Sequence, residues 1–286
     1  MKLLFRSCLL AGMFFMSHPP ATLAEDYDDA MEAIRQGDHH TAYDLLIPMA
    51  RNGDVRAQNN LGVMIQNGYG GKKGMEEAIE WFHMAAQSNY AVAQYNLGMI
   101  YAKGEGTAQN YVMAASWFEK AARQGVVLAQ FKLARLWADG RNGRVDYEEA
   151  AKWYRKAADQ EMLPAMTALG RLHMEGKGVT PDPDEALKWW KKAGAQGDIM
   201  AQYQLGLAYS RGGGVKVDLG ESFKWHVAAA TQGYHHAQLT VGDMLSEGRG
   251  VSQDLNMAKR WWRRAANQGN MDAQQRLDKL EQEESR

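Results

Sequence analysis

A period of 36 residues runs through this chain without an insertion or a deletion. The step Ala-Gln, once Ala-Met, recurs at Ala57, Ala93, Ala129, Ala165, Ala201 and Ala237, and a seventh start at Ala273 opens the last segment. The stretch AQYNLGMIYAKGEG at Ala93 returns 108 residues later as AQYQLGLAYSRGGG at Ala201. Strict register over six units restricts the fold to an array in which each unit packs on its neighbours.

Each unit reads as two helices. Four residues after each Ala come Leu61, Leu97, Leu133, Leu169, Leu205 and Val241, and four further on Ile65, Tyr101, Trp137, His173, Tyr209 and Leu245. This spacing puts one apolar face on a first helix. Between them stand Gly62, Gly98, Ala134, Gly170, Gly206 and Gly242. A mid-helix glycine costs about 1 kcal/mol against alanine, so its recurrence predicts a neighbouring helix backbone passing close by. Gly68, Gly104, Gly140, Gly176, Gly212 and Gly248 end this helix. Asp146, Asp182, Asp218 and Asp254 stand where the second helix starts, as caps or first-turn acids.

The second helix carries a tryptophan in every unit: Trp81, Trp117, Trp153, Trp189, Trp225 and Trp261. A second large ring follows each, at Phe82, Phe118, Tyr154, Trp190, His226 and Trp262. Adjacent residues point about 100° apart on a helix, so the pair needs two partners. A second helix wedged between its own first helix and that of the next unit supplies both. Read this way the aromatics are core rather than a stacking ladder for sugars or bases. The six complete units are 57–92, 93–128, 129–164, 165–200, 201–236 and 237–272. Residues 25–56 form an N-terminal capping helix pair, with Asp28 to Gln36 as a shortened first helix turned at Gly37. Ala42, Leu45, Met49, Ala50 and Gly53 continue the second-helix register, and 273–286 becomes polar as a C-terminal capping helix should. The fold class is all-α, an αα-hairpin repeat solenoid.

Residues 1–24 read as a signal peptide. Lys2 and Arg6 precede the apolar stretch Cys8 to Met16, and Thr22-Leu23-Ala24 suits cleavage. The apolar stretch is short for a bilayer span, so no integral membrane segment is expected after cleavage. The expectation is export, periplasmic or secreted. The one cysteine, Cys8, lies in this leader, which leaves the exported part without disulfide, thiolate metal site or cysteine nucleophile. Loss of Lys2 and Arg6 leaves 31 basic against 34 acidic residues, a net charge of about −3. That balance argues against nucleic acid as a partner.

The pattern A-Q-x-x-L-G-x-x-Y-x-x-G-x-G followed by A-x-x-W-x-x-x-A-A-x-Q-G resembles the Sel1-like repeat, a relative of the tetratricopeptide repeat. Ala134 for Gly, Ser222 for Ala, Glu161 for the terminal Gly and the loop GYGGKKGMEEA depart from it. The resemblance implies a right-handed superhelix with a concave groove for protein–protein binding. Exported bacterial members are typically envelope regulators, inhibitors or assembly adaptors. Cysteine-rich relatives linked to β-lactams do not match a chain without those cysteines.

No catalytic constellation accompanies the repeats. H-E-x-x-H, G-x-S-x-G and a convincing S-x-x-K are absent. GGGVKVD at Gly212 lacks the Lys and Ser/Thr of a phosphate loop and aligns with the other inter-helix loops. His39-His40 and His235-His236 lack a carboxylate at ligand spacing, and Glu76-Glu77 and Glu148-Glu149 are first-turn acids. No catalytic, cofactor or metal residue is therefore expected. Hydrolysis of a β-lactam or wall fragment is the enzymatic alternative, without a nucleophile–base pair to support it. Among binding roles, an immunity protein for a secreted toxin stands beside an adaptor. Positions two, three and six after each Ala are those left over from packing. They gather Tyr95, Asn96, Met99, Phe131, Lys132, Arg135, Arg171, Tyr203 and Gln204 in the middle of the array. Aromatic and Arg residues are the usual anchors of an interface. Such a groove suits an extended peptide with acidic groups or a C-terminal carboxylate.

Overall fold

The computed structural model describes residues 23–69 and 74–284. The leader expected over 1–24 lies outside the described residues except for Leu23 and Ala24. The described residues hold fifteen α-helices and no strand, and the chain divides into two compact bodies, Met1–Ser88 and Asn89–Arg286.

The first body contains α1 (Leu23–Gln36), α2 (His39–Arg51), α3 (Val55–Gln66) and α4 (Met75–Gln87). Its core joins Ala30, Leu46, Met49, Leu61 and Met64. Helix α1 is not the shortened element expected from Asp28 onward; it is 14 residues long. The extra turn is held by Tyr27, whose hydroxyl accepts from Asn60 Nδ2 at 2.9 Å while Arg56 lies 4.2 Å from its ring centre. In α2, Leu46 is fully buried and Leu45 half-buried.

The second body runs through α5 (Ala91–Lys103), α6 (Tyr111–Arg123), α7 (Val127–Asp139), α8 (Tyr147–Asp159), α9 (Leu163–Glu175), α10 (Pro183–Ala195), α11 (Ile199–Arg211), α12 (Leu219–Thr231), α13 (His235–Glu247), α14 (Leu255–Ala266) and α15 (Met271–Glu284). Within this body each helix packs on the next in sequence, from α5 through to α15. The odd-numbered helices are the first helices of the repeats. They begin two residues before the register alanine and stop at a left-handed glycine, Gly104, Gly140, Gly176, Gly212 and Gly248. The even-numbered helices start at Asn110, Asp146, Asp182, Asp218 and Asp254, whose side chains accept the backbone N–H three residues on. One orphan donor of each helix start is thereby satisfied.

The mid-helix glycines chiefly face rings, and the close backbone expected is met at Gly170, where a Cβ would lie 3.0 Å from the Ala186 carbonyl oxygen. A Cβ on Gly98 would come within 2.5 Å of the Phe118 ring, and one on Gly242 within 2.4 Å of Trp262. In five of the six repeats the second large ring of the second helix lies over the glycine of its own first helix, and in the third Ala134 stands in that place. The register tryptophans at 117, 153, 189 and 261 are buried, while Trp81 and Trp225 are half-buried.

Two further layers hold the stack. Seven residues after each Ala, Met64, Ile100, Leu136, Leu172, Ala208 and Met244 are all buried. The Gln of the Ala-Gln step is also buried, and it is a connector. Gln130 Nε2 donates to the Ala122 carbonyl at 3.1 Å, and its Oε1 accepts from Gln160 Nε2 at 2.9 Å. Gln202 and Gln238 repeat both bonds, with Gly194 and Gln232, and with Ala230 and Gln268. At Gln130, Gln202 and Gln238 a helix end is thus stitched to the following first helix by an amide satisfied on both sides, whereas Gln58 donates to the Ala50 carbonyl and its Oε1 is left without a partner. Met166 takes the glutamine's place in the fourth repeat, and Gln196 turns back to its own Lys192 carbonyl.

Candidate functional site

The first helices of the second body carry all nine residues singled out for the groove. They divide by position. Tyr95, Phe131 and Tyr203, two residues after the Ala, are half-buried. Each ring rests on the second-helix ring behind it: Tyr95 on Phe118 at 5.8 Å, Phe131 on Tyr154 at 5.7 Å, and Tyr203 on His226 at 5.3 Å. The expectation that this position is left over from packing is therefore corrected. Packing on that ring covers part of each. In the first body the equivalent Asn59 is buried outright. Asn96, Lys132 and Gln204 are half-buried, Met99 likewise, and Arg135 and Arg171 are exposed.

Among the described residues, three cavities lie at one place in the repeat, on alternate units. The first, about 170 Å³, lies between α5 and α7 over the ring of Phe118. The second, about 140 Å³, lies between α9 and α11 over Trp190. The third, about 340 Å³, lies between α13 and α15 over Trp262. Their linings correspond position by position. Lys132 of the first is replaced 72 residues on by Gln204 and 144 residues on by Arg276. The repeat sets the shape, and the variable letters set the chemistry.

The first cavity is strongly basic. Lys103, Lys132, Arg135 and Arg141 line it with Asp139, above a floor of Met99, Ala102, Phe118 and Leu136. Lys103 pairs with Glu105 at 3.0 Å. Arg135 and Arg141 share Asp139 at 3.9 Å each, and Arg141 Nη1 also donates to the Tyr111 hydroxyl at 3.0 Å. Lys132 has cations for its charged neighbours. Burial first, then Arg135 and Lys103, hold its ammonium below the ordinary lysine range. Of these residues, Lys103, Asp139, Arg141 and Tyr111 escaped the sequence reading. Lys103 and Asp139 stand ten residues after the Ala, one helical turn beyond the positions considered.

The second cavity is mainly apolar, with Met174, Leu207 and Ala208 around Trp190 and Arg211 at its rim. In the third, Arg276 is already engaged by Asp243 at 3.2 Å.

Two buried histidines lie behind this face. His173 Nε2 is 2.9 Å from Arg155 Nη2, and Arg155 reaches Glu185 at 3.5 Å. Burial, then the Arg155 charge, lowers its pKa. His226 is 1% exposed with both ring nitrogens unpartnered, and burial followed by Arg211 lowers its pKa to about 4. Neither geometry joins a nucleophile to a base. At the paired histidines, His39 stacks on Tyr69 at 3.6 Å, and His235 Nδ1 lies 3.1 Å from Asn270 Nδ2; His40 does have a carboxylate four residues on, contrary to expectation, and meets Asp44 at 3.3 Å. No cluster of three metal-ligating side chains occurs among the described residues. No helix among them is long and apolar enough to cross a membrane.

The Sel1 repeat model matches six times, at 55–90, 91–126, 127–162, 163–198, 199–234 and 235–270. Among solved structures, the chain is similar to c5321, described as a protective antigen present in uropathogenic Escherichia coli strains displaying an SLR fold. The identity is 37% and the TM-score 0.78, over 82% of this chain and 50% of that one. It thus spans half the length of that protein. A Sel1 repeat protein from Oxalobacter formigenes is similar at 32% identity and TM-score 0.67, over 76% of this chain and 84% of that one. No curated protein matches the chain.

Proposed function

The chain belongs to the Sel1 repeat family, and we propose that it is an exported, non-enzymatic scaffold that holds a protein or peptide partner against its first-helix face. Sel1 repeats are in general protein-interaction scaffolds. The single observation that carries the location is the row of cavities between alternate first helices, basic at α5–α7 and apolar at α9–α11. A preformed surface on rigid helices lowers the ordering cost of binding, and affinity comes from that rather than from chemistry. The role that fits is an envelope regulator, inhibitor or adaptor. The charged start and small-residue end of residues 1–24 support export.

The test is site-specific photocrosslinking in cells. A photoreactive residue at Met99 or Leu207 should capture a defined partner, and one at the exposed Ser116 on α6 should not. The pair Arg135→Glu with Arg171→Glu should abolish capture. Equal capture from both faces, or capture indifferent to the charge reversals, would place the interface elsewhere. Cell fractionation with protease protection tests export separately.

A further inference from the structure

The three cavities differ in what they leave uncompensated. At α13–α15 the arginine has its carboxylate. At α9–α11 the lining is apolar apart from Gln204 and Arg211. At α5–α7 four cations, Lys103, Lys132, Arg135 and Arg141, face two carboxylates, Glu105 and Asp139. Glu105 serves Lys103, and the 3.9 Å contacts of Asp139 are beyond hydrogen-bond length. Two positive charges are left over, beside a cavity with an apolar floor. Lys132 is half-buried and the other three cations are about half exposed, so this surplus of charge attracts an anion rather than being a buried penalty. A ligand carboxylate on an aliphatic stem answers it and covers Met99, Ala102 and Leu136 with its methylenes. A volume of about 170 Å³ admits one side chain.

The companion cavity sets a register. First helices of adjoining repeats lie about 10 Å apart, so cavities on alternate repeats lie about 20 Å apart. An extended chain rises about 3.3 Å per residue and covers that span in about six residues.

We propose that the second body reads an extended peptide segment in two places: a carboxylate enters the α5–α7 cavity between Lys132 and Arg135, and an apolar side chain about six residues away enters the α9–α11 cavity against Met174, Leu207 and Trp190. This assignment rests on the scaffold reading above and gives it a ligand chemistry. The carboxylate is a side chain or a chain end. Asp139 is the internal competitor that holds the arginines while the cavity is empty of ligand.

The probe is a random dodecapeptide library displayed on phage and selected on the full chain. Enriched sequences are then made as soluble peptides, with free and with amidated C-termini, for fluorescence anisotropy. The expected consensus pairs an acidic group with an apolar residue about six positions away. Lys132→Gln with Arg135→Gln should weaken these peptides roughly 10–100-fold, the worth of a charge-assisted bond. Moving the acid three positions should cost about as much. Asp139→Asn should tighten binding severalfold, a gain that misfolding does not produce. Loss of binding on amidation assigns the carboxylate to the chain end, and indifference assigns it to a side chain. Peptides blocked by Leu207→Glu but showing no acid, or no response at Lys132, Arg135 and Asp139, would overturn the subsite and leave the scaffold reading standing. Peptides indifferent to every substitution on the first-helix face would overturn both.

Discussion

His226 makes the stability of the fifth repeat depend on pH. It occupies the register where Phe82 and Phe118 lie on their glycines, and its ring is within 2.6 Å of where a Cβ on Gly206 would be. Both ring nitrogens are buried without partners, and the pKa is lowered from 6.5 to about 4. The unfolded chain therefore binds a proton that the folded chain refuses. The stability this difference represents is present above pH 6.5 and is lost as pH falls towards 4. At about 1.4 kcal/mol per pKa unit the whole difference is about 3 kcal/mol, of which about 2 kcal/mol is gone by pH 5. His226→Phe removes the titration and the two orphan nitrogens together, and Gly98 against Phe118 shows that the site takes that ring. At neutral pH the variant should gain about 1–3 kcal/mol, with a further gain of about 2 kcal/mol at pH 5. Repeat arrays need not unfold in one step, so the assay is hydrogen exchange of α11 and α12 amides at several pH values, beside urea denaturation. The difference between wild type and variant isolates His226 from His173. A difference that stays flat from pH 7.5 to 4.5 would refute the argument.

Further substitutions test the packing. Gly178 has φ +69°, and a Cβ there would lie 2.1 Å from the carbonyl carbon of Tyr147. Gly178→Ala should cost about 3 kcal/mol or more in urea denaturation, against about 1–2 kcal/mol for Gly125→Ala, which shares a positive φ in open space. Glu161 adopts φ +65° where four other repeats use Gly125, Gly197, Gly233 and Gly269 and the first uses Asn89. Glu161→Gly should raise stability by about 1 kcal/mol, since its pair with Lys192 at the surface is worth less than the strain. Gln130→Leu strips the Ala122 carbonyl and Gln160 of their shared partner and should lower stability by about 2 kcal/mol, whereas Met166→Gln supplies the missing link of the fourth repeat and should be neutral or stabilising.

How far the sequence could be read depended on what each letter touches. The apolar residue four after each Ala was plain from spacing alone. So were the terminal glycines and the capping acids, because each satisfies its own helix end. The buried Gln of the Ala-Gln step carried no such signal. Its partners lie eight residues back and 30 residues on, and a glutamine in a helix looks solvated until those amides are placed. The residues two after the Ala looked open for the same reason, since the rings that cover them belong to another helix. The candidate site suffered most. Lys132 and Arg135 were legible as cations on the right helix, but Lys103 comes from the repeat before and Arg141 from a loop.

Periodicity alone established an all-α array of 36-residue units, because side-chain recurrence at helical spacing has no other solution that buries both faces. It also separated scaffold letters from variable ones. Which variable letters share a cavity was decided by the stacking of successive first helices. That stacking places Lys103 beside Lys132 and leaves their charges with too few carboxylates to answer them. Charge balance is a property of neighbours in space, and a repeat unit read by itself does not contain them.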